Sequence, residues 1–167
     1  MENEETNGEI KNAEMNGGEM KGTYGKFALM MAISFVIMYA VMFMNVSEFD
    51  HIYLSLNRFY MTLLMVAPMS LVMMGLMRGM YPNRKANLGI LAAGIIVLTL
   101  AVVCLRTQAF VGDRQYMRGM IPHHSSAIMT SKHADLRDPA VKKLSQDIIE
   151  AQEKEIALMK QLLEKTE

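Results

Sequence analysis

Residues 117–133, MRGMIPHHSSAIMTSKH, hold three of the chain's four histidines and three of its 19 methionines. Thioether sulfur and imidazole nitrogen are the donors that soft metals such as cuprous copper prefer. On a helix, residues three and four apart share a face. Met117, Met120 and His124 therefore fall in one row, with His123 on its flank. Further along, Glu155 and Met159 have the same four-residue spacing. These six residues are the candidate metal ligands. Mixed Met and His ligation favours Cu(I), because zinc would draw on more cysteine, histidine or carboxylate. A ferritin-type di-iron centre needs Glu-x-x-His pairs on bundle helices; the chain is read as having no such spacing, which counts against ferroxidase chemistry. No nucleophile has a local base and no phosphate-binding loop is present, so the chain is not expected to be an enzyme.

The run Met117-x-x-Met120-Ile121-Pro122-His123-His124, then Ala127-Ile128, then Ile148-Ile149-x-x-Gln152-x-x-Glu155-Ile156-x-x-Met159 resembles a known family. It is the bacterial family catalogued as domain of unknown function three hundred and five. The likeness covers residues 113–163, roughly a third of the chain. It implies a small helical, ferritin-like bundle, exported in some members and associated with copper binding or tolerance. It implies nothing about the first hundred residues.

Those residues position the motif. The chain has no net charge, 51% hydrophobic residues and no tryptophan. Its charges avoid three long segments, the pattern of a membrane protein with a polar tail. There is no basic excess to attract nucleic acid. The single cysteine, Cys104, excludes an internal disulfide and reads as an inert core thiol.

Residues 1–26 contain six glutamates, three lysines and five glycines. This composition cannot offset chain entropy by burial and predicts a disordered tail. The apolar runs 27–47, 59–77 and 86–105 are uncharged and long enough to cross a bilayer as helices. Pro68 is expected to kink the second. Gly89 and Gly94 in the third permit close helix contact without forming the GxxxG signature. Residues 27–105 are thus read as a three-helix transmembrane region.

Three spans put the ends on opposite sides. Lys21, Lys26, Arg78, Arg84 and Lys85 fall on one side, and Arg58, Arg106, Arg114 and Arg118 on the other. The positive-inside rule places the N-terminus in the cytoplasm and residues 106–167 outside it. With the resemblance, this makes the expected location the bacterial inner membrane, with an extracytoplasmic C-terminal domain. Met61, Met65, Met69, Met73 and Met77 suggest a sulfur-lined conduit in the second span. Four-residue steps advance about 40° each, however, so the five sweep about 160° and packing is the better reading. His51, alone in a loop, reads as an exposed polar residue.

The C-terminal module reads as a hairpin. One helix spans 113–135, with Asp113 as N-cap and Pro122 predicting a bend or fresh start. Residues 136–139 break it. The second helix begins at Pro139 under an Asp138 cap and runs to about residue 165. Its apolar arc is interrupted by Ser145, Gln152 and Glu155. A carboxylate inside an apolar arc needs a partner, and His124 lies in the middle of the facing apolar stripe. A structural His124–Glu155 pair is the bland alternative to a metal.

The fold class expected is therefore all-α: three transmembrane helices, then a helical hairpin. About fifty residues bury too little surface alone, so the hairpin is expected to pair into a ferritin-like four-helix bundle as a homodimer, or to pack on a partner. The functional expectation is copper sequestration or handling in the cell envelope, with other envelope copper-handling proteins as possible partners. The competing expectation is a non-catalytic dimerisation or docking module.

Overall fold

In the computed structural model the backbone is described from Glu2 to Lys165, and side chains from Gly22 to Lys165 apart from Arg78. The described chain is helical, with no strand: α1 (Glu2–Val41), α2 (Leu56–Leu76), α3 (Arg84–Thr107), α4 (Asp113–His133) and α5 (Pro139–Lys165). Three segments are long and apolar enough to cross a membrane: Gly22–Val41, Leu56–Leu76 and Arg84–Thr107. The helix α1 is continuous through residues 2–26, the segment whose composition suggested disorder. Glutamate, lysine and methionine are good helix formers that can extend a helix begun by the apolar run. The side chains of residues 1–21, Met15 and Met20 among them, lie outside the described set.

Two compact units organise the chain, the first from residues 1–37 with 63–101 and the second from 38–62 with 102–167. In the first, Phe27, Met74 and Tyr81 form a small core, with Tyr24, Met31 and Met73 packed around it. The Tyr81 ring meets Phe27 edge-on at 5.8 Å. Tyr24 donates to Asn87 Oδ1 at 2.7 Å, and Asn87 Nδ2 donates to the Tyr81 carbonyl at 2.8 Å. Asn83 caps α3, its Oδ1 accepting from the amides of Lys85 and Ala86.

Of the two α3 glycines, only Gly94 is in close contact. A Cβ there would lie 2.7 Å from Leu71 Cδ2 and 3.1 Å from Ser70 Oγ, whereas Gly89 faces open space. Ser70 Oγ is held by its bond to the Ala67 carbonyl, so it yields less readily than the Leu71 tip. Gly94→Val is expected to destabilise the α2–α3 packing by about 1–3 kcal/mol through overpacking. Gly89→Val should stay within about 0.5 kcal/mol. Unfolding of both variants in mixed micelles is the check, and equal costs would refute the close-packing assignment.

The second unit is built on α4 and α5. Met117, Ile121, Ile128, Ile156 and Leu163 form its buried core, with Tyr53, Ile149 and Met159 packed against it. Asp138 Oδ1 accepts from the Ala140 and Val141 amides, the cap expected for a helix starting at proline. The start of α4 differs from expectation: Gly112 is the N-cap, without a side-chain bond, and Asp113 lies in the first turn. The helix also runs unbroken through Pro122, which is buried. Residues 42–58 close over the hairpin. Ser55 caps α2 through the Arg58 amide, Gln115 Oε1 accepts from the Leu56 amide at 3.1 Å, and Tyr60 donates to the Ala109 carbonyl.

Candidate metal centre

The α4–α5 hairpin brings His124 and Glu155 together, with Nδ1 3.1 Å from Oε2. They share a cleft of about 360 Å³ with Met120, Met159, Tyr116 and Leu158. Four of the six residues singled out in the sequence therefore meet in one place. The His124 side chain is 13% accessible and that of Glu155 54%. The apolar arc of α5 is covered on one flank only, which leaves Glu155 in contact with water; it is not the buried carboxylate that its position on the wheel suggested.

The close approach of His124 and Glu155 is not aligned as a hydrogen bond. His124 Nδ1 is buried with no hydrogen-bond partner, an uncommon and costly state for an imidazole nitrogen. Burial holds the His124 pKa below the usual 6.5 against the attraction of Glu155, and His123 adds a smaller push downward. At neutral pH the ring is thus uncharged and able to use a nitrogen lone pair. A buried nitrogen, a solvated carboxylate and two thioethers on one cleft form a mixed N, O, S donor set that fits a soft or borderline cation.

The other two candidates are placed elsewhere. Met117 is in the hairpin core beside Ile121 and Ile128. His123 is exposed and lines a second cleft with Met42, Met61 and Met120. Met120 borders both clefts, and the two histidine rings are 6.1 Å apart. His133 sits at the exposed end of α4, its Nδ1 2.8 Å from the Met129 carbonyl, one of the last carbonyls of the helix.

His51 corrects the sequence reading outright: it is 6% exposed, not solvated. Its Nδ1 lies 2.9 Å from Ser125 Oγ, which also accepts the Ser47 amide at 2.7 Å. On the other side Nε2 is 3.5 Å from Asp50 Oδ1 and 4.0 Å from Glu48 Oε2. Glu48, Asp50 and His51 offer ligand atoms within 4.8 Å of one another. The chain does hold one Glu-x-x-His spacing, Glu48 to His51, and this was the available signal. It lies in a 3-10 turn off the hairpin. Lys160 Nζ already stands 2.5 Å from Asp50 Oδ2, and its hydrogen bond holds that carboxyl below the usual range. The order Ser125, His51, Asp50 resembles an acyl-transfer triad, but Ser125 has no exposed surface for a substrate to reach. The cluster anchors the 45–51 loop to the hairpin.

That anchor carries a pH dependence. Burial, then the Lys160 charge, push the His51 pKa down, only partly offset by Asp50 and Glu48. The unfolded chain binds a proton near pH 6.5 while the folded one still resists it, so the stability His51 contributes is complete above that value. It is lost as pH falls through it toward the lower folded pKa. Protection of the Ser47 amide from hydrogen exchange, corrected for intrinsic rates, should fall between about pH 7 and 5. Unchanged protection would contradict the anchor.

The family model for Domain of unknown function (DUF305) matches residues 101–163. The chain is 42% identical over 139 residues to "Uncharacterized protein L153" of Acanthamoeba polyphaga mimivirus, covering 81% of this chain and 90% of that protein. An alignment of that length extends beyond the hairpin into the apolar helices. No solved structure matches. With a family segment over α4 and α5 and a relative aligned over nearly its whole length, the chain belongs to the family described as Domain of unknown function (DUF305).

Proposed function

We propose that this is a membrane-anchored protein that binds Cu(I) on its α4–α5 hairpin, for sequestration or hand-over. Met120, His124, Glu155 and Met159 hold the ion, and His123 stands on the far side of Met120 as an exchange ligand. The observation that carries the reading is the buried Nδ1 of His124, which makes no hydrogen bond although Glu155 Oε2 is 3.1 Å away, in a cleft with two thioethers. Met117 contributes packing rather than ligation. The positive-inside rule supports a hairpin outside the cytoplasm, on the face of the membrane opposite the N-terminus. The aligned relative is viral, so the bacterial inner membrane is one setting for this topology among several.

One observation favours a second copy as partner. Val141, Leu144 and Leu158 on α5 are 44%, 57% and 55% exposed. Leu158 also lines the metal cleft. Pairing of two hairpins into a four-helix bundle would cover this face and shield the site. The docking-module reading uses the same face without a metal.

Anaerobic Cu(I) competition with a chromophoric chelator, on the full-length protein in detergent, separates the two. The metal reading expects one tightly held ion per chain, weakened by Met120→Leu/Met159→Leu, with sulfur scattering in the copper absorption-edge spectrum. A folded wild type that holds copper no better than the double variant would overturn it.

A further inference from the structure

Arg58 stands in the first turn of α2 and is 8% exposed. Its guanidinium donates to the Met42 carbonyl and lies 4.3 Å above the Phe43 ring. Among the described residues no carboxylate is within ion-pair distance of it. A buried charge without a counter-charge is strongly unfavourable, and a ring face with one carbonyl compensates only part of that cost. A guanidinium has five N–H donors in a fork that matches phosphate oxygens.

Arg58 borders a cleft of about 390 Å³, the one shared with His123. Asn45, Asn57 and Ser126 add polar groups to its wall, and Met42 and Met61 add apolar ones. Asn57 Oδ1 is buried there with no hydrogen-bond partner. The cleft thus has a cation without a counter-charge, an acceptor lacking a donor, and apolar flanks. It lies where the apolar segments end: Gly22–Val41 stops one residue before Met42, and Leu56–Leu76 begins two residues before Arg58. In a bilayer this is the depth of lipid headgroups.

We infer that this cleft is a phospholipid site, with Arg58 binding the headgroup phosphate and Asn57 Oδ1 accepting from a headgroup hydroxyl or ammonium. The acyl chains would leave along Met42 and Met61. The inference does not rest on copper binding, since its phosphate contacts use neither His124 nor Glu155, although Met120 and His123 also line this cleft. The shared chemistry is a phosphate, which lipid or free phosphate could supply.

Native mass spectrometry of the full-length protein in detergent tests it. The titrants are phosphatidylglycerol, diacylglycerol of the same chain length, and inorganic phosphate. The wild type should retain one phosphatidylglycerol, and Arg58→Met should weaken it by tenfold or more. Because Arg58→Met removes packing as well as charge, Asn57→Asp serves as the second variant. It adds a carboxylate to the wall of the cleft that Arg58 borders, so it should repel the phosphate and expel the lipid without lowering the melting temperature in lipid-free detergent. Equal retention of diacylglycerol would overturn the proposal, as would undiminished lipid binding by Asn57→Asp. Saturation by inorganic phosphate that displaces the lipid would assign the site to the free ion instead and overturn the lipid assignment.

Discussion

Replacing His124 with alanine is expected to lower Cu(I) affinity of the full-length protein by on the order of a hundredfold. The loss of a supporting residue around a metal already costs about 10–100-fold, and His124 is proposed to touch the ion. The same substitution should leave folding intact or slightly improved. The imidazole is buried, its Nδ1 makes no hydrogen bond, and Glu155 remains solvated without it. Removing a buried polar group that lacks a partner relieves a desolvation cost, though the small cavity left behind works against this gain. A structural His124–Glu155 pair gives the opposite result: lower stability with no change in copper binding. Measuring melting temperature and chelator competition on the same preparation therefore distinguishes the two roles. His123→Ala should cost less affinity, because His123 is exposed and lines the other cleft.

Ser125→Ala is expected to be the most damaging single-atom deletion on the hairpin. Ser125 is completely buried, and its hydroxyl satisfies both the Ser47 amide and His51 Nδ1. Each group left buried without a partner costs about 1–3 kcal/mol. The neighbouring Ser126→Ala removes an exposed bond from Asn45 and should change stability by about 0.5 kcal/mol or less. Thermal unfolding in micelles compares them. The Ser125 variant should also lose exchange protection at the Ser47 amide, which Ser126→Ala leaves in place. Similar costs for the two serines would show that the loop is not anchored through Ser125.

Much of this architecture follows from local pattern. Uncharged runs of membrane-spanning length, the proline-and-aspartate start of α5 and the break before it are consequences of hydropathy and of backbone restriction. They need no knowledge of distant contacts. The spacing of Met120 and His124, and of Glu155 and Met159, likewise fixed which residues share a face within each helix. Pairing the two faces across the hairpin required only that both be apolar, and the structure brings these four side chains to one cleft.

Other features depended on how separate segments met. Sequence periodicity cannot tell Ser125 from Ser126, yet one is sealed under the 45–51 loop and the other stays near solvent. His51 has no periodic context in its loop, so its burial came only from the docking of that loop on α4, with Lys160 holding Asp50. Met117 satisfied the ligand spacing as well as Met120 did, but the packing of α5 on α4 left one among isoleucines in the core and the other lining the cleft. Arg58 looked like an ordinary juxtamembrane charge until Met42 and Phe43 closed over it. Spacing along one helix specifies a direction from its axis; burial, partners and missing partners are set by the neighbour that arrives there.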